Sequence, residues 1–301
     1  MYTPTNEERR SIIGGSDIAA IMGRSRWRSP LRVWAEKTGR IEPTDLSDVE
    51  RVEIGRDLED YVATKFAQKT GYKVRRDNRT FTHPSHEFMV GHIDRRVVGE
   101  EAILECKTTS AYNEKEWLDT KMPVEYVLQV MWYLGLAKAA TGYAACLIGG
   151  QKFEWKQIEF DKGVFSDMVQ AAADFWFHHI LTGEPPIAMQ GDDDTLLDMY
   201  PTSSGAIVTL EGEEAERVAG LITRKIELDG RTKEVEAESD LVKNQIRAII
   251  GESDGVDVGT HVATWKNQGH TSVDTELMKT EGIYEHYTKQ STFRVLRTKT
   301  K

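Results

Sequence analysis

The chain of 301 residues is 39% apolar and 29% charged, enough to bury one large core or two modest ones and too apolar for wholesale disorder. No run approaches the roughly 18 apolar residues of a membrane span. The opening MYTPTNEERR lacks the apolar stretch of a secretion signal, and two cysteines, Cys106 and Cys146, exclude a disulfide framework and a four-cysteine metal site, so a reducing cytoplasm is the expected location.

The net charge of −10 weighs against nucleic acid only until its distribution is followed. Residues 1–40 hold eight Lys/Arg against four Asp/Glu, whereas residues 191–260 hold seven against seventeen. In chain order, GGSDIAAIMG predicts a short helix starting near Ser16 or Asp17, and SPLRVWAEKTG a second with Pro30 early and Gly39 as its stop. EIGRDLEDYVATKFAQKTG, from Glu53 to Gly71, predicts a third helix with Leu58, Tyr61, Val62 and Phe66 on one side. Strand-like runs follow around Lys73–Arg76, Phe88–Val98 and Ala102–Thr108. PVEYVLQVMWYLGLA predicts a buried helix, GYAACLIGG with KFEWKQIEF a hairpin, and DKGVFSDMVQAAADFWFHHILTG a long amphipathic helix. Residues 191–205, acidic and rich in turn formers, read as a linker between a first domain (1–190) and a second (206–301).

The stretch MVGHIDRRVVGEEAILECKTTS places carboxylates inside apparent strands, which is costly unless something pairs with them. A two-residue turn at Gly99-Glu100 pairs positions whose numbers sum to 199, so Asp94 faces Glu105 with β-carbons roughly 4.5–5.5 Å apart. Lys107 shares the face of Glu105. Such a carboxylate pair repels unless a cation lies between, and Mg²⁺, with Mn²⁺ as a substitute, bridges it well with help from the Cys106 carbonyl. An ion-pair ladder without metal, Glu105 with Lys107 or Arg95, accounts for the hairpin equally. His92 falls on the same face by parity and reads as a satisfied surface or supporting histidine.

Three further features bear on the choice. Glu59, on the helix upstream, is placed to add a metal ligand or simply faces solvent. Tyr126, Gln129 and Tyr133 share one stripe of the later helix. The glycine pair and Ser16 open a helix whose N–H groups suit an anion, with Arg9 and Arg10 before it and Arg24, Arg26 and Arg28 around Trp27, a mixture that suits a phosphate backbone or a frayed base. Ordinary capping with solvated arginines reads the same residues.

Taken in order, IIGGSDIAAIMGRSRWRSPLRVWAEKTG, GRDLEDYVATKF, GHIDRR, ILECKTT and PVEYVLQVMWYLGL resemble the phage-type YqaJ recombinase nucleases, relatives of lambda exonuclease in the PD-(D/E)XK superfamily, over about residues 9–185. The resemblance implies an α/β fold, a central mixed sheet flanked by helices, and a 5′→3′ double-strand exonuclease that leaves a 3′ strand for an annealing recombinase. It implies metal held by Asp94, Glu105, the Cys106 carbonyl and Glu59, catalysis with Lys107 and Gln129, and Tyr133 in the Q-x-x-x-Y motif. Arg9 or Arg10, together with Ser16, would hold a 5′-phosphate, and a homo-oligomer, a ring trimer by resemblance, is expected. Many members carry glycine after the aspartate, where Arg95 stands here. A related endonuclease and a non-catalytic DNA-binding or assembly scaffold are the alternatives; the scaffold predicts a lost motif residue, and none is lost.

Beyond the motifs, apolar residues recur every seventh position at Leu221, Leu228, Val235, Val242 and Ile249, half of a heptad seam. A helix from about Glu211 to Ile250, a bend at Gly230, strands in HVATWKN and TFRVLRT and a helix around Thr275–Tyr287 are expected, forming an arm for contacts between subunits or with an annealing partner.

Overall fold

The computed structural model describes residues 5–43, 49–292 and 294–299. Helices α1 (Asn6–Arg10), α2 (Gly15–Ile21), α3 (Pro30–Lys37), α4 (Glu50–Asp57) and α5 (Glu59–Thr70) come first. Strands β1 (Val74–Arg76), β2 (Phe81–His83), β3 (His86–Gly91), β4 (Arg95–Val97) and β5 (Ala102–Thr109) follow. Then come α6 (Val124–Ala137), β6 (Thr141–Ile148), β7 (Lys152–Glu159), α7 (Lys162–Phe175) and α8 (Asp193–Met199). The remainder holds α9 (Gly212–Ile250), β8 (Gly255–Asp257), β9 (Val262–Thr264), α10 (Thr275–Thr280) and α11 (Tyr284–Tyr287). Contacts divide the chain into two units, Met1–Tyr200 and Pro201–Lys301. Among the described residues no helix is long and apolar enough to cross a membrane.

In the first unit β1, β4, β5, β6 and β7 lie side by side in that order, antiparallel except for β5 and β6, which run parallel across the α6 crossover. This is the mixed α/β sheet that the resemblance implies. Alternation along the central strands sends side chains to two cores. Ala102 and Leu104 of β5, with Tyr143, Ala145 and Leu147 of β6, pack on Val62, Ala63 and Phe66 of α5. Ile103, Ala144, Cys146 and Ile148 face the larger core built with α2, α3, α6 and α7. A strand covered on both faces carries a near-continuous apolar run, which is why YAACLI is buried throughout. Local signals set the ends: Ser29 caps α3 by accepting from the Arg32 N–H ahead of Pro30, and Gly71 closes α5 at φ 80°.

Several expectations are corrected. The helix expected over 53–71 is divided at Leu58 into α4 and α5. The strand run over 88–98 breaks at His92–Asp94: β3 pairs with the unforeseen β2 in a separate sheet, and β4 joins the main one. The segment read as a linker is a linker only in its second half. Asp192 accepts from the Ser29 hydroxyl and Asp198 pairs with Arg32, so α8 is fastened to α3. α9 runs unbroken through Gly230 as a single helix of 39 residues. The partner of β9 is β8, directly after α9; the described part of TFRVLRT is not a strand, and its Phe293 lies outside the described residues. The helix expected at 275–287 is two short ones, α10 and α11.

The Gly14-Gly15 pair divides its work. A β-carbon at Gly15 would lie 2.5 Å from Cε1 and 2.9 Å from the hydroxyl of Tyr133, whereas one at Gly14 would meet nothing closer than Asp17 Oδ2 at 4.0 Å. The first turn of α2 therefore rests directly on the Tyr133 ring. Gly15→Ala should cost about 1–3 kcal/mol by overpacking, and Gly14→Ala less than about 1 kcal/mol as a poorer cap; urea melts of the two variants check the ranking.

Candidate active site

The β4–β5 register opposes Arg95 with Leu104 and Arg96 with Ile103, the sum of 199 read from the sequence, and Gly99 in the turn takes φ 85°. The next step of that register sets Asp94 against Glu105. By alternation Glu105 and Lys107 follow Ile103 onto the α6 side of the sheet, while the Cys106 side chain turns toward α5. Asp94 Oδ2 accepts the Cys106 N–H at 2.8 Å, and Glu105 Oε1 accepts from Lys107 Nζ at 2.7 Å.

Electrostatics at this point are dominated by missing water. Burial pushes the Asp94 carboxyl well above the ordinary range, and the neighbouring charge of Glu105 adds to it. Burial likewise raises Glu105 against the pull of Lys107. For Lys107 burial alone would lower the pKa, but Glu105 and Asp94 outweigh it and hold the side chain as an ammonium. Glu105 Oε2 is buried with no hydrogen-bond partner. An orphaned, buried carboxylate oxygen beside a second, half-buried carboxylate is a donor set suited to a hard divalent cation, so the residues fit Mg²⁺. Among the described residues no group of three or more His, Cys, Asp or Glu side chains is placed to hold a metal. An ion here would depend on two carboxylates, main chain and water, as Mg²⁺ commonly does.

Glu59 opens α5 and is not solvent-facing: its Oε1 accepts from Arg95, whose guanidinium also reaches Asp60 at 2.6 Å and the Asp94 carbonyl at 2.6 Å. The α6 stripe closes the other side. Gln129 Nε2 donates to the Tyr133 hydroxyl at 3.0 Å, and Lys107 Nζ lies 5.1 Å from the Tyr126 ring centroid. Tyr126 in turn sits 5.8 Å from Trp27, which is 59% exposed. An open cleft of about 1180 Å³ runs along Lys107, Gln129, Tyr126, Trp27, Ser16 and Arg9. A smaller cavity of about 240 Å³ beside it is lined by Arg9, Arg10, Ser16, Lys37, His92 and Tyr133. His92 there bonds the Thr80 hydroxyl at 3.0 Å.

The arginines are not the solvated basic patch that charge counting suggests. Arg26 is paired with Glu116 at 2.6 Å and Glu125 at 2.9 Å, and Arg28 with Asp17 at 2.8 Å and Glu36 at 3.0 Å. Arg10 takes Glu42 at 2.6 Å, and Arg24 is exposed outside both cavities. Arg9 lines both cavities and Arg10 only the smaller. Sequence reasoning missed the anchor of this corner, Asp17, whose Oδ2 meets Lys37 at 2.9 Å and caps the Gly14 N–H at 3.1 Å. Its spacing three residues after Gly14 was the available signal.

A family model described as YqaJ-like viral recombinase domain matches residues 6–144. The Bacillus subtilis (strain 168) protein YqaJ is 36% identical over 295 residues, 95% of this chain and 91% of that one. Among solved structures, the alkaline exonuclease of Laribacter hongkongensis aligns with TM-score 0.49 at 15% identity, over 60% of this chain and 94% of its own. A phage related exonuclease from Haemophilus somnus 129PT aligns with TM-score 0.40 at 13% identity, over 57% and 96%.

The Asp17 pairs make a pH-dependent contribution. Burial would raise its pKa, but Lys37 and Arg28 overcome this and hold it below the ordinary value. A depressed carboxylate stabilises the fold above its unfolded pKa of about 3.9, and the contribution is lost as pH falls through the folded value. Asp17→Asn should cost about 3–5 kcal/mol at neutral pH by stranding buried charge, and its stability should fall less than the parent's on acidification below about pH 4. Urea melts across pH test both.

Proposed function

The chain belongs to the YqaJ-like viral recombinase family, and from that premise we propose that it is a metal-dependent deoxyribonuclease of phage-type recombination. Its substrate would be a duplex DNA end, digested 5′→3′ to leave a 3′ single strand for an annealing protein in the cytoplasm, with the enzyme acting as a homo-oligomer. The observation that carries the reading is the Asp94–Glu105–Lys107 group, with one buried Glu105 carboxylate oxygen unspent and Lys107 lining an open cleft of about 1180 Å³.

Asp94, Glu105 and the Cys106 carbonyl would hold Mg²⁺ or Mn²⁺, while Glu59, engaged by Arg95, stands beside that donor set rather than in it. When bound, the ion supplies an activated water and charge neutralisation at the scissile phosphate. Lys107, kept as an ammonium by its neighbours, is suited to stabilising charge on the phosphate oxygens rather than to removing a proton. Gln129 shares a hydrogen bond with Tyr133 and is placed to orient the phosphate beside Lys107. Arg95, standing where many members have glycine, fixes Glu59 through a buried ion pair, so the departure adds an anchor and removes no motif residue. Trp27 and Tyr126 offer aromatic faces to an unpaired base. Arg9 and Ser16 are the groups best placed for the terminal phosphate, since both line the cleft and the smaller cavity.

Linear duplexes labelled separately at each 5′ and 3′ end, with a closed circle beside them, test the reaction in Mg²⁺. Release of the 5′ label with the circle intact is expected; cutting of the circle would point to an endonuclease. Lys107→Ala should retain fold and DNA binding while cleavage falls about 10²–10⁴-fold. Activity within threefold of the parent would remove Lys107 from the mechanism.

A further inference from the structure

The second unit contains a helix with almost nothing of its own to pack against. Ile250 is the one buried residue among those described in α9. Leu221 is 61% exposed, Val235 65% and Ile249 74%. A helix takes most of its stability from packing an apolar face, and Gly220 and Gly230 weaken this one further. Apart from Leu241, the exposed apolar residues fall on one side of the helix. With Leu221, Leu228, Val235, Val242 and Ile249 at heptad position d, position a holds Val218, Lys225, Thr232, Ser239 and Ile246.

The flanking positions identify the occupant. Position g reads Arg217, Arg224, Arg231, Glu238, Gln245, and position e reads Ile222, Asp229, Glu236, Lys243, Ile250. In a parallel, in-register coiled coil each g residue meets the e residue five places later on the other helix. With itself this sequence then gives Arg224 to Asp229, Arg231 to Glu236 and Glu238 to Lys243. All three fully charged pairs are opposite in sign, although the sign at g switches from basic to acidic along the helix. Antiparallel pairing sets g against g and e against e; the full-overlap register gains Arg224 on Glu238 but brings Arg231 onto Arg231 and Asp229 onto Asp229, so it mixes like and unlike charges where the parallel register has only unlike ones. We propose that α9 joins a second copy of this chain as a parallel, in-register two-stranded coiled coil. β-branched Val218, Thr232 and Ile246 at a, with leucines at two d positions, favour two strands. Lys225 at a keeps its ammonium at the rim, where it already meets Asp229 at 2.7 Å within its own helix. The three polar a positions make the seam weak, so the charge pattern carries its specificity.

This inference does not rest on the nuclease reading, and its test reads association rather than cleavage. In the full chain, Leu228→Cys places a thiol at d, and Thr223→Cys places one on the outer face. Mild oxidation should link two Leu228→Cys chains by a reducible bond and leave Thr223→Cys unlinked; the parent run alongside controls for Cys106 and Cys146. Failure of Leu228→Cys to link, or equal linking at both sites, would overturn the proposal. In the Leu228→Cys chain, Arg224→Glu with Arg231→Glu should reduce linking at least tenfold, as should Asp229→Arg with Glu236→Arg. Mixing these two charge variants should restore it, because each g now faces an opposite e. Linking that ignores both charge changes would overturn the pairing.

Discussion

Everything in the first unit is arranged around a carboxylate that has been taken out of water. Glu105 lies in a strand covered on both faces, and Lys107, two residues on, is the cation that makes its burial tolerable. That pair requires period-two geometry, so β5 must remain a strand at this point. It requires a wall on the α6 side, which Tyr126, Gln129 and Tyr133 supply. It also leaves one carboxylate oxygen without a partner, beside an Asp94 already raised by burial. A stability-driven design would replace such a group with apolar residues of similar volume. A half-satisfied network of this kind is the arrangement on which the proposed metal reading rests.

Much of this was legible because local rules fixed it. The turn glycine at 99 set the register, and register set which side chains face each other. The hairpin of β6 and β7 and the span of α9 followed from periodicity. What failed was information carried by distant partners. FMVGHIDRRVV reads as one strand because its apolar residues run on, yet the chain changes sheets at His92–Asp94. β2 was invisible in a polar stretch containing Pro84 and two histidines. The acidic run after Gln190 looked like a linker because the residues that fasten it, Ser29 and Arg32, lie more than 160 positions away.

The arginines teach the same lesson in charge. Eight basic residues in the first forty suggested an open electropositive surface. Once folded, Arg10, Arg26, Arg28 and Arg32 are each met by carboxylates, several of them from remote segments. Their guanidinium groups act first as braces that shape the cleft. Affinity for a polyanion would then draw on fewer unspent charges than composition implies, which favours contact by shape and stacking over bulk attraction.

The parallel crossover between β5 and β6 has a temporal side. Every pairing there joins residues 39 positions apart, from Ala102 with Thr141 to Thr109 with Ile148, with all of α6 in between. Closing such a non-local contact must follow collapse of the intervening chain and is slow compared with forming a hairpin. A ribosome-bound chain therefore closes the sheet around Glu105 and Lys107 only after β6 has emerged. Partly made copies would lack this completed cluster, which arrives late, together with the rest of the sheet.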